Sequence, residues 1–80
     1  MTCSEAVIQR IRYLCDERGL TINKLATLSG LTQSTLNNII HGTNKSPTLN
    51  TLYKIATGLN MTVSEFLDFP EMNETIFNED

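Results

Sequence analysis

The stretch TINKLATLSGLTQSTLNNIIHG, residues 21–42, contains two short segments with helical periodicity on either side of a glycine. Thr21 and Thr32 each precede one of these segments, and threonine is a favoured residue at a helix N-cap. Gly30 lies between the segments, where a left-handed backbone conformation would end the first helix. The small side chain of Ala26 suits a close crossing of two helices. The stretch therefore predicts a helix-turn-helix unit whose second helix, residues 32–41, is held out from the body of the domain.

The flanking sequence predicts one helix before this unit and two helices after it. The first helix is predicted to begin at Ser4 as its N-cap and to end at Gly19. The fourth helix is predicted to begin at Thr48 and to end at Gly58. A fifth helix follows the capping box Thr62-Val63-Ser64-Glu65.

Apolar side chains at helical spacing define one inward face on each predicted helix. These side chains are Val7, Ile11, Leu14, Cys15, Ile22, Leu25, Ala26, Leu28, Leu36, Ile39, Ile40, Leu49, Leu52, Ile55, Ala56, Val63, Phe66 and Leu67. No alternation of apolar and polar residues is long enough to predict a strand, and the helical period is lost from Phe69 onward. The sequence therefore predicts an all-α fold, a compact five-helix domain over residues 1–68, followed by an acidic C-terminal tail over residues 69–80.

The charges of the 80-residue chain are unevenly distributed, although its net charge is −3. Residues 1–64 contain all six basic residues and only three acidic residues, whereas residues 65–80 contain six acidic residues and no basic residue. A mildly basic body with an acidic end differs from a uniformly acidic protein. The net charge therefore does not exclude a nucleic-acid partner.

Several classes of protein are excluded by composition and motif. Two cysteines and the single histidine, His41, cannot supply the four ligands of a structural zinc site, and the acids of the tail lack the spacing of a calcium loop. We expect no metal, no cofactor and no enzyme activity, since no nucleophile is paired with a base. Both thiols are expected to be reduced, with Cys15 packing as a small apolar residue. Without a signal peptide or an apolar span, we expect a cytoplasmic protein with no membrane partner.

The helix-turn-helix residues and the spacing between the predicted helices resemble those of a known family. The matching residues are Thr21, Leu25-Ala26, the run Ser29 to Thr35, His41-Gly42, Pro47-Thr48-Leu49, Leu52 and Ile55-Ala56. In this register the chain from about residue 7 to residue 68 resembles the lambda-repressor-like, Cro/XRE family of helix-turn-helix DNA-binding domains. The resemblance implies a transcriptional regulator of bacterial or phage type, a repressor, that binds a palindromic double-stranded DNA operator as a homodimer.

The outward face of the predicted recognition helix is rich in amides and hydroxyls. Glutamine and asparagine can form paired hydrogen bonds with adenine, and serine tolerates several bases. The resemblance implies base contacts by Gln33, Ser34 and Asn38, with Asn37 at the edge. A surface helix can also carry polar residues for solvation alone. The absence of both glutamate and lysine from this face is unusual for a helix that is only solvated, and the exclusion of acids suits a surface that faces phosphate.

Phosphate contacts are expected at three places. The N-terminus of the second helix, at Thr21 and Asn23, favours an anion through its dipole, and the hydroxyl of Thr32 caps the recognition helix. The residues Thr43, Asn44 and Lys45 match the loop with which the family grips the DNA backbone. The sequence departs from the family at position 22, where Ile22 replaces a frequent phosphate-bridging glutamine. Lys24, Arg10 and Arg12 are further candidates for contact with the backbone.

Two questions of association remain open at the level of sequence. The alternative to a DNA regulator is an antitoxin-like or adaptor module of the same fold, whose acidic tail binds a basic protein partner. A tail lying across the third helix would favour that alternative. Dimerisation is predicted through the fifth helix and the tail, because Phe66, Phe69 and Ile76 have little remaining core to bury them.

Overall fold

The computed structural model describes residues 2–42 and 47–74, and within these ranges the chain forms six α-helices and no strand. The helices are α1 (Cys3–Arg18), α2 (Ile22–Ser29), α3 (Gln33–Ile40), α4 (Leu49–Gly58), α5 (Val63–Leu67) and α6 (Pro70–Glu74). Helix α2 packs against both α3 and α4, α4 also packs against α5, and α6 packs against α1. The predicted all-α fold is confirmed, with α6 as an additional short helix that begins at a proline, a residue suited to the first helical position.

Each of the first five helices begins at a threonine whose hydroxyl accepts a hydrogen bond from the backbone three residues later. These N-caps are Thr2, Thr21, Thr32, Thr48 and Thr62. The predicted N-cap at Ser4 is wrong, because Thr2 and Glu5 form a reciprocal capping box. The N–H group of Thr2 donates to Glu5 Oε1 at 2.6 Å, and Thr2 Oγ1 accepts from the N–H group of Glu5 at 3.1 Å.

One apolar core joins the first five helices. Its buried members are Val7, Ile11, Leu14, Cys15, Leu25, Ala26, Leu36, Ile39, Ile40, Ile55, Ala56, Leu59 and Phe66. Two side chains predicted to face inward do not, since Leu28 is 45% exposed and Leu49 is 69% exposed. Leu49 directly follows the N-cap of α4, in a first turn that precedes the buried pair Ile55-Ala56.

Cys15 lies in this core, as predicted, and is 3% exposed. Burial raises the pKa of its thiol, and the neighbouring charge of Asp16 raises it further. The thiol is therefore held in its neutral form, which suits a packing role and opposes reaction as a thiolate.

Gly58 is the last residue of α4, so the prediction that the helix ends there is confirmed, but Gly58 does not adopt the left-handed conformation of a glycine stop. Asn60 instead adopts the positive φ, 60°, just after the helix. A Cβ atom on Gly58 would clash with Ser29 Oγ and would lie 3.0 Å from the backbone nitrogen of Ser29. The absence of a side chain at Gly58 therefore allows α2 and α4 to pack closely, because any side chain there would clash with Ser29.

Gly30 takes the predicted left-handed conformation, with φ 70°, between α2 and α3. The N–H group of the next residue, Leu31, donates to the carbonyl oxygen of Ala26 at 3.0 Å and closes the turn. A Cβ atom at Gly30 would meet no atom within 4 Å, so a substitution is strained by backbone conformation alone.

Gly30→Val is expected to destabilise the fold by more than about 1 kcal/mol, because a β-branched residue disfavours positive φ. Gly30→Asn is the matched control and should lose less stability, since asparagine tolerates the left-handed region. Thermal unfolding measures both changes. An unaltered melting temperature for the valine variant would contradict the tight turn.

The residues that follow α5 pack against α1. Phe66 is fully buried and Phe69 is 7% exposed, so the prediction that these two rings form a dimer surface is wrong. Arg10 accounts for part of this burial. Its Nε atom donates to the carbonyl oxygen of Phe66 at 2.9 Å, and its guanidinium lies 5.1 Å from the centre of the Phe69 ring. Ile76, the third residue of the predicted surface, lies outside the described residues.

Candidate nucleic-acid interface

Helix α3 separates its apolar and polar side chains as the sequence predicts. Leu36, Ile39 and Ile40 are buried in the core. The four predicted base-contacting residues share the opposite side of the helix: Gln33 and Ser34 are exposed, and Asn37 and Asn38 are half-buried. The pairs at positions 33 and 37 and at positions 34 and 38 are each four residues apart, which makes them neighbours on a helix surface. The helix therefore brings these four side chains together in one polar strip.

The start of α3 is fixed by its N-cap. Thr32 Oγ1 accepts from the N–H group of Thr35 at 3.0 Å and donates to Thr35 Oγ1 at 2.8 Å. Through these two hydrogen bonds the Thr32 hydroxyl stabilises the first turn of α3. The backbone N–H groups of Gln33 and Ser34 belong to the first turn of the helix, where no earlier helical carbonyl accepts them.

The start of α2 presents a second set of exposed polar groups. Thr21 Oγ1 accepts from the N–H group of Lys24 at 3.0 Å, and the side chains of Thr21, Asn23 and Lys24 are all exposed. Ile22 is half-buried and packs against the core, so it cannot replace the glutamine that the family often has at this position. The exposure of Lys24 in the first turn adds a cation beside the two predicted phosphate contacts.

The loop between α3 and α4 contains the other three predicted phosphate contacts, Thr43, Asn44 and Lys45. These lie outside the described residues. Pro47 and the N-cap Thr48 follow the loop and start α4.

Acidic residues are absent from the sequence between residues 18 and 64, which includes all of α2, α3 and α4. The acids of the described ranges belong instead to α1, α5 and α6 and to Asp68, which lies between the last two helices. The fold thus gives the helix-turn-helix unit a surface that does not repel phosphate. Hydrogen bonding to bases and attraction of an anionic backbone are the interactions that these groups can provide.

Two arginines are committed to the fold and are not available for phosphate. Arg10 donates to the carbonyl oxygens of Phe66 and Glu65, and Arg18 donates to the carbonyl oxygen of Leu59. The expectation that Arg10 reaches the DNA backbone is therefore wrong. Each contact joins residues about 40 or more positions apart, so no local sequence pattern could have revealed it.

Neither a metal-binding cluster nor a membrane-spanning helix is found in the described ranges. They contain no group of three His, Cys, Asp or Glu side chains arranged to hold a metal ion. In residues 2–42 and 47–74, no helix is long and apolar enough to cross a bilayer.

This chain resembles several known proteins. The HTH-type transcriptional regulator SutR of Escherichia coli K12 is 38% identical over 61 residues, which are 76% of this chain and 34% of SutR. This chain therefore spans about a third of that curated relative. The crystal structure of prophage Lp1 protein 11 superposes with a TM-score of 0.82 at 41% identity, covering 94% of this chain and 99% of that one. The restriction-modification controller protein C.AhdI of Aeromonas hydrophila gives a TM-score of 0.66 at 33% identity, covering 75% and 89% of the two chains.

The family model for the Cro/C1-type helix-turn-helix DNA-binding domain matches residues 10–71, which is most of the chain. The match includes α2 and α3 in full, with the polar strip and the acid-free surface. The fold, the sequence and these relatives agree. The chain belongs to the Cro/C1-type family of helix-turn-helix DNA-binding domains.

Proposed function

We propose that the protein is a sequence-specific transcriptional repressor that binds a palindromic DNA operator as a homodimer. Residues 32–41 enter the major groove, where a helix of this size fits. The observation that carries this proposal is the exposed polar strip of α3, opposite the three apolar side chains that fix the helix on the core.

Gln33, Ser34, Asn37 and Asn38 are the proposed base-reading residues. Gln33 and Ser34 stand at the N-terminal end of the helix, which is the end that reaches base edges in helix-turn-helix complexes. Their exposure leaves them accessible to a base, and the amide of Gln33 offers the donor and acceptor that adenine requires.

Phosphate contacts hold the recognition helix in register in this proposal. Thr21 and Asn23 stand at the exposed N-terminus of α2, and Thr32 starts α3. Thr43, Asn44 and Lys45 complete the set from the loop before α4. Contacts to the phosphates carry no sequence information, but they supply much of the affinity and its salt dependence.

Dimerisation follows from the size of the domain. Its principal extents are 32 × 24 × 21 Å, and one recognition helix reads one half-site. Two half-sites lie about 34 Å apart along DNA, so two copies side by side match a palindrome. In this proposal residues 1–68 are the DNA-binding domain, residues 69–80 are the acidic C-terminal tail, and the protein acts in the cytoplasm.

The alternative is an antitoxin-like or adaptor module whose acidic tail binds a basic partner. That function is favoured if the tail covers α3. Within the described residues, the tail begins as α6, which packs against α1. This contact supports the DNA-binding proposal.

Selection of bound sequences from a random DNA pool tests the proposal, and Gln33→Ala tests its central residue. The variant is expected to lose about 1–3 kcal/mol of binding free energy at one operator position and to accept other bases there. Ser64→Ala, at an exposed polar residue of α5, is the control and should bind like the wild type.

Two outcomes contradict these assignments. An equal loss by Gln33→Ala on every DNA sequence would show that the residue does not read a base. A pool from which the wild-type protein selects no common sequence would contradict sequence-specific binding altogether.

A further inference from the structure

We propose that Arg10 is a positioning residue that holds residues 69–74, the start of the acidic C-terminal tail, on α1 and so prevents the tail from competing with DNA. This inference rests on the proposed function, because it concerns access to the α2–α3 surface. It assigns to the tail an intramolecular role that depends on a single side chain of the first helix.

The guanidinium of Arg10 joins three parts of the chain. Its Nε atom donates to the carbonyl oxygen of Phe66 at 2.9 Å, and its Nη2 atom donates to that of Glu65 at 3.2 Å. Both carbonyls belong to the last turn of α5, where the helix dipole is negative, and the carbonyl oxygen of Glu65 also accepts from the N–H group of Asp68 at 3.2 Å. The same guanidinium lies 5.1 Å from the centre of the Phe69 ring, within the range of a cation–π contact.

The remaining attachment of the tail is slight. Helix α6 has five residues and none of them is buried. Phe69 is 7% exposed, and Met72 packs half-buried against the core. The groove between α1 and the start of α6 is lined by Gln9, Arg10, Tyr13, Phe69, Pro70 and Glu71. A segment with so few buried contacts opens at low free energy, so loss of the contact between Arg10 and Phe69 should release it.

A released tail is long enough and carries enough negative charge to compete with DNA for the α2–α3 surface. Residues 69–80 would extend to about 40 Å, at about 3.3 Å per residue. The longest extent of the molecule is 32 Å, so the tail can reach every face. It carries Glu71, Glu74, Glu79 and Asp80 and no basic residue, whereas residues 18–64 carry no acidic residue. A tethered polyanion has a high effective concentration at that surface.

Proteolysis tests the release of the tail without DNA. Cleavage by a glutamate-specific protease at Glu71 and Glu74 is expected to be several times faster in Arg10→Gln than in the wild type. Arg12→Gln removes the same charge from an exposed position of the same helix and should be cleaved at the wild-type rate. Equal cleavage of all three proteins would overturn the positioning role of Arg10.

DNA binding tests the competition. At about 50 mM salt, Arg10→Gln is expected to bind DNA about three- to tenfold more weakly, in proportion to the fraction of molecules whose surface the tail occupies. Adding Glu71→Gln and Glu74→Gln should restore most of this loss, whereas the same pair in the wild type should change affinity by less than about twofold. At about 300 mM salt the difference should shrink, because screening weakens the attraction of the tail.

A direct contact between Arg10 and phosphate predicts a different pattern. Neutralising the two glutamates would then change the wild type and the Arg10→Gln variant by the same factor, and that result would overturn the inference. If Arg10→Gln lowers the melting temperature too far for binding assays, Phe69→Leu removes the ring contact while keeping an apolar side chain, and it should show the same rescue.

The two proposals can fail separately. A wild-type protein that binds no DNA contradicts the proposed function, while the cleavage rates still report whether Arg10 holds the tail. A wild type that binds DNA, with an Arg10→Gln variant that is not rescued by the glutamine pair, contradicts only the role of Arg10.

Discussion

Gly58→Ala is expected to destabilise the protein by about 3 kcal/mol, a change at the upper end of overpacking costs. The new Cβ atom would clash with Ser29 Oγ and would lie 3.0 Å from the backbone nitrogen of Ser29 and 3.1 Å from the backbone carbonyl carbon of Leu28. Since two of these neighbours are backbone atoms, α2 and α4 must move apart. In a domain of this size such a loss should lower the melting temperature by at least about 10 °C.

Ser29→Ala provides the matched partial rescue. The buried Ser29 Oγ has no hydrogen-bond partner among the described residues, so its removal alone should change stability little or raise it slightly. In the Gly58→Ala background, Ser29→Ala should recover part of the loss, because it removes the shortest contact and leaves the backbone contacts. Thr57→Ala, at an exposed neighbour on α4, is the control. A Gly58→Ala protein that melts like the wild type would contradict the close crossing of α2 and α4.

Phe66→Ala is expected to destabilise the protein by about 3–5 kcal/mol, since it removes the largest fully buried side chain and leaves a cavity. The total stability of an 80-residue domain lies between about 4 and 12 kcal/mol, so the substitution would remove about a quarter of it or more. Thermal and urea unfolding measure the loss. Because the ring packs within its own chain, the loss should not depend on protein concentration.

Tyr53→Ala is the control for this substitution. Tyr53 is an aromatic residue of α4 that is 59% exposed, and its loss should change stability by less than about 0.5 kcal/mol. If Phe66→Ala instead left monomer unfolding unchanged and weakened self-association, the burial of Phe66 within its own chain would be contradicted.

Local sequence signals predicted the helices well. Four of the five threonine N-caps, the left-handed glycines at positions 19 and 30 and the inward side chains of α3 depend on residues within one helical turn of each other. The exception at the N-terminus shows the limit of this reasoning. Ser4 and Thr2 are both good N-caps, and only the spacing from Thr2 to Glu5 distinguishes them as a capping box.

Contacts between distant parts of the chain were not predictable in the same way. Gly58 is the end of α4, as predicted, but its close approach to Ser29 depends on the position of α2, which no local pattern reveals. Arg10 resembled a surface cation because its partners on α5 lie more than 50 residues away. The burial of Phe66 and Phe69 likewise depends on where α1 lies.

The candidate interface was predictable to the extent that it is a helix face. The four proposed base-reading residues share the outward side of α3 because the apolar residues of the same helix determine its orientation. Their contacts with bases remain a prediction, and so do the phosphate contacts.

The separation of side chains on α3 also has an evolutionary consequence. Leu36, Ile39 and Ile40 contribute to the stability of the fold, whereas Gln33 and Ser34 are exposed and contribute little to it. Substitutions at the exposed positions are therefore nearly neutral for folding. A duplicated copy of such a domain can acquire a new DNA target through a few changes on one helix face, without first gaining stability elsewhere.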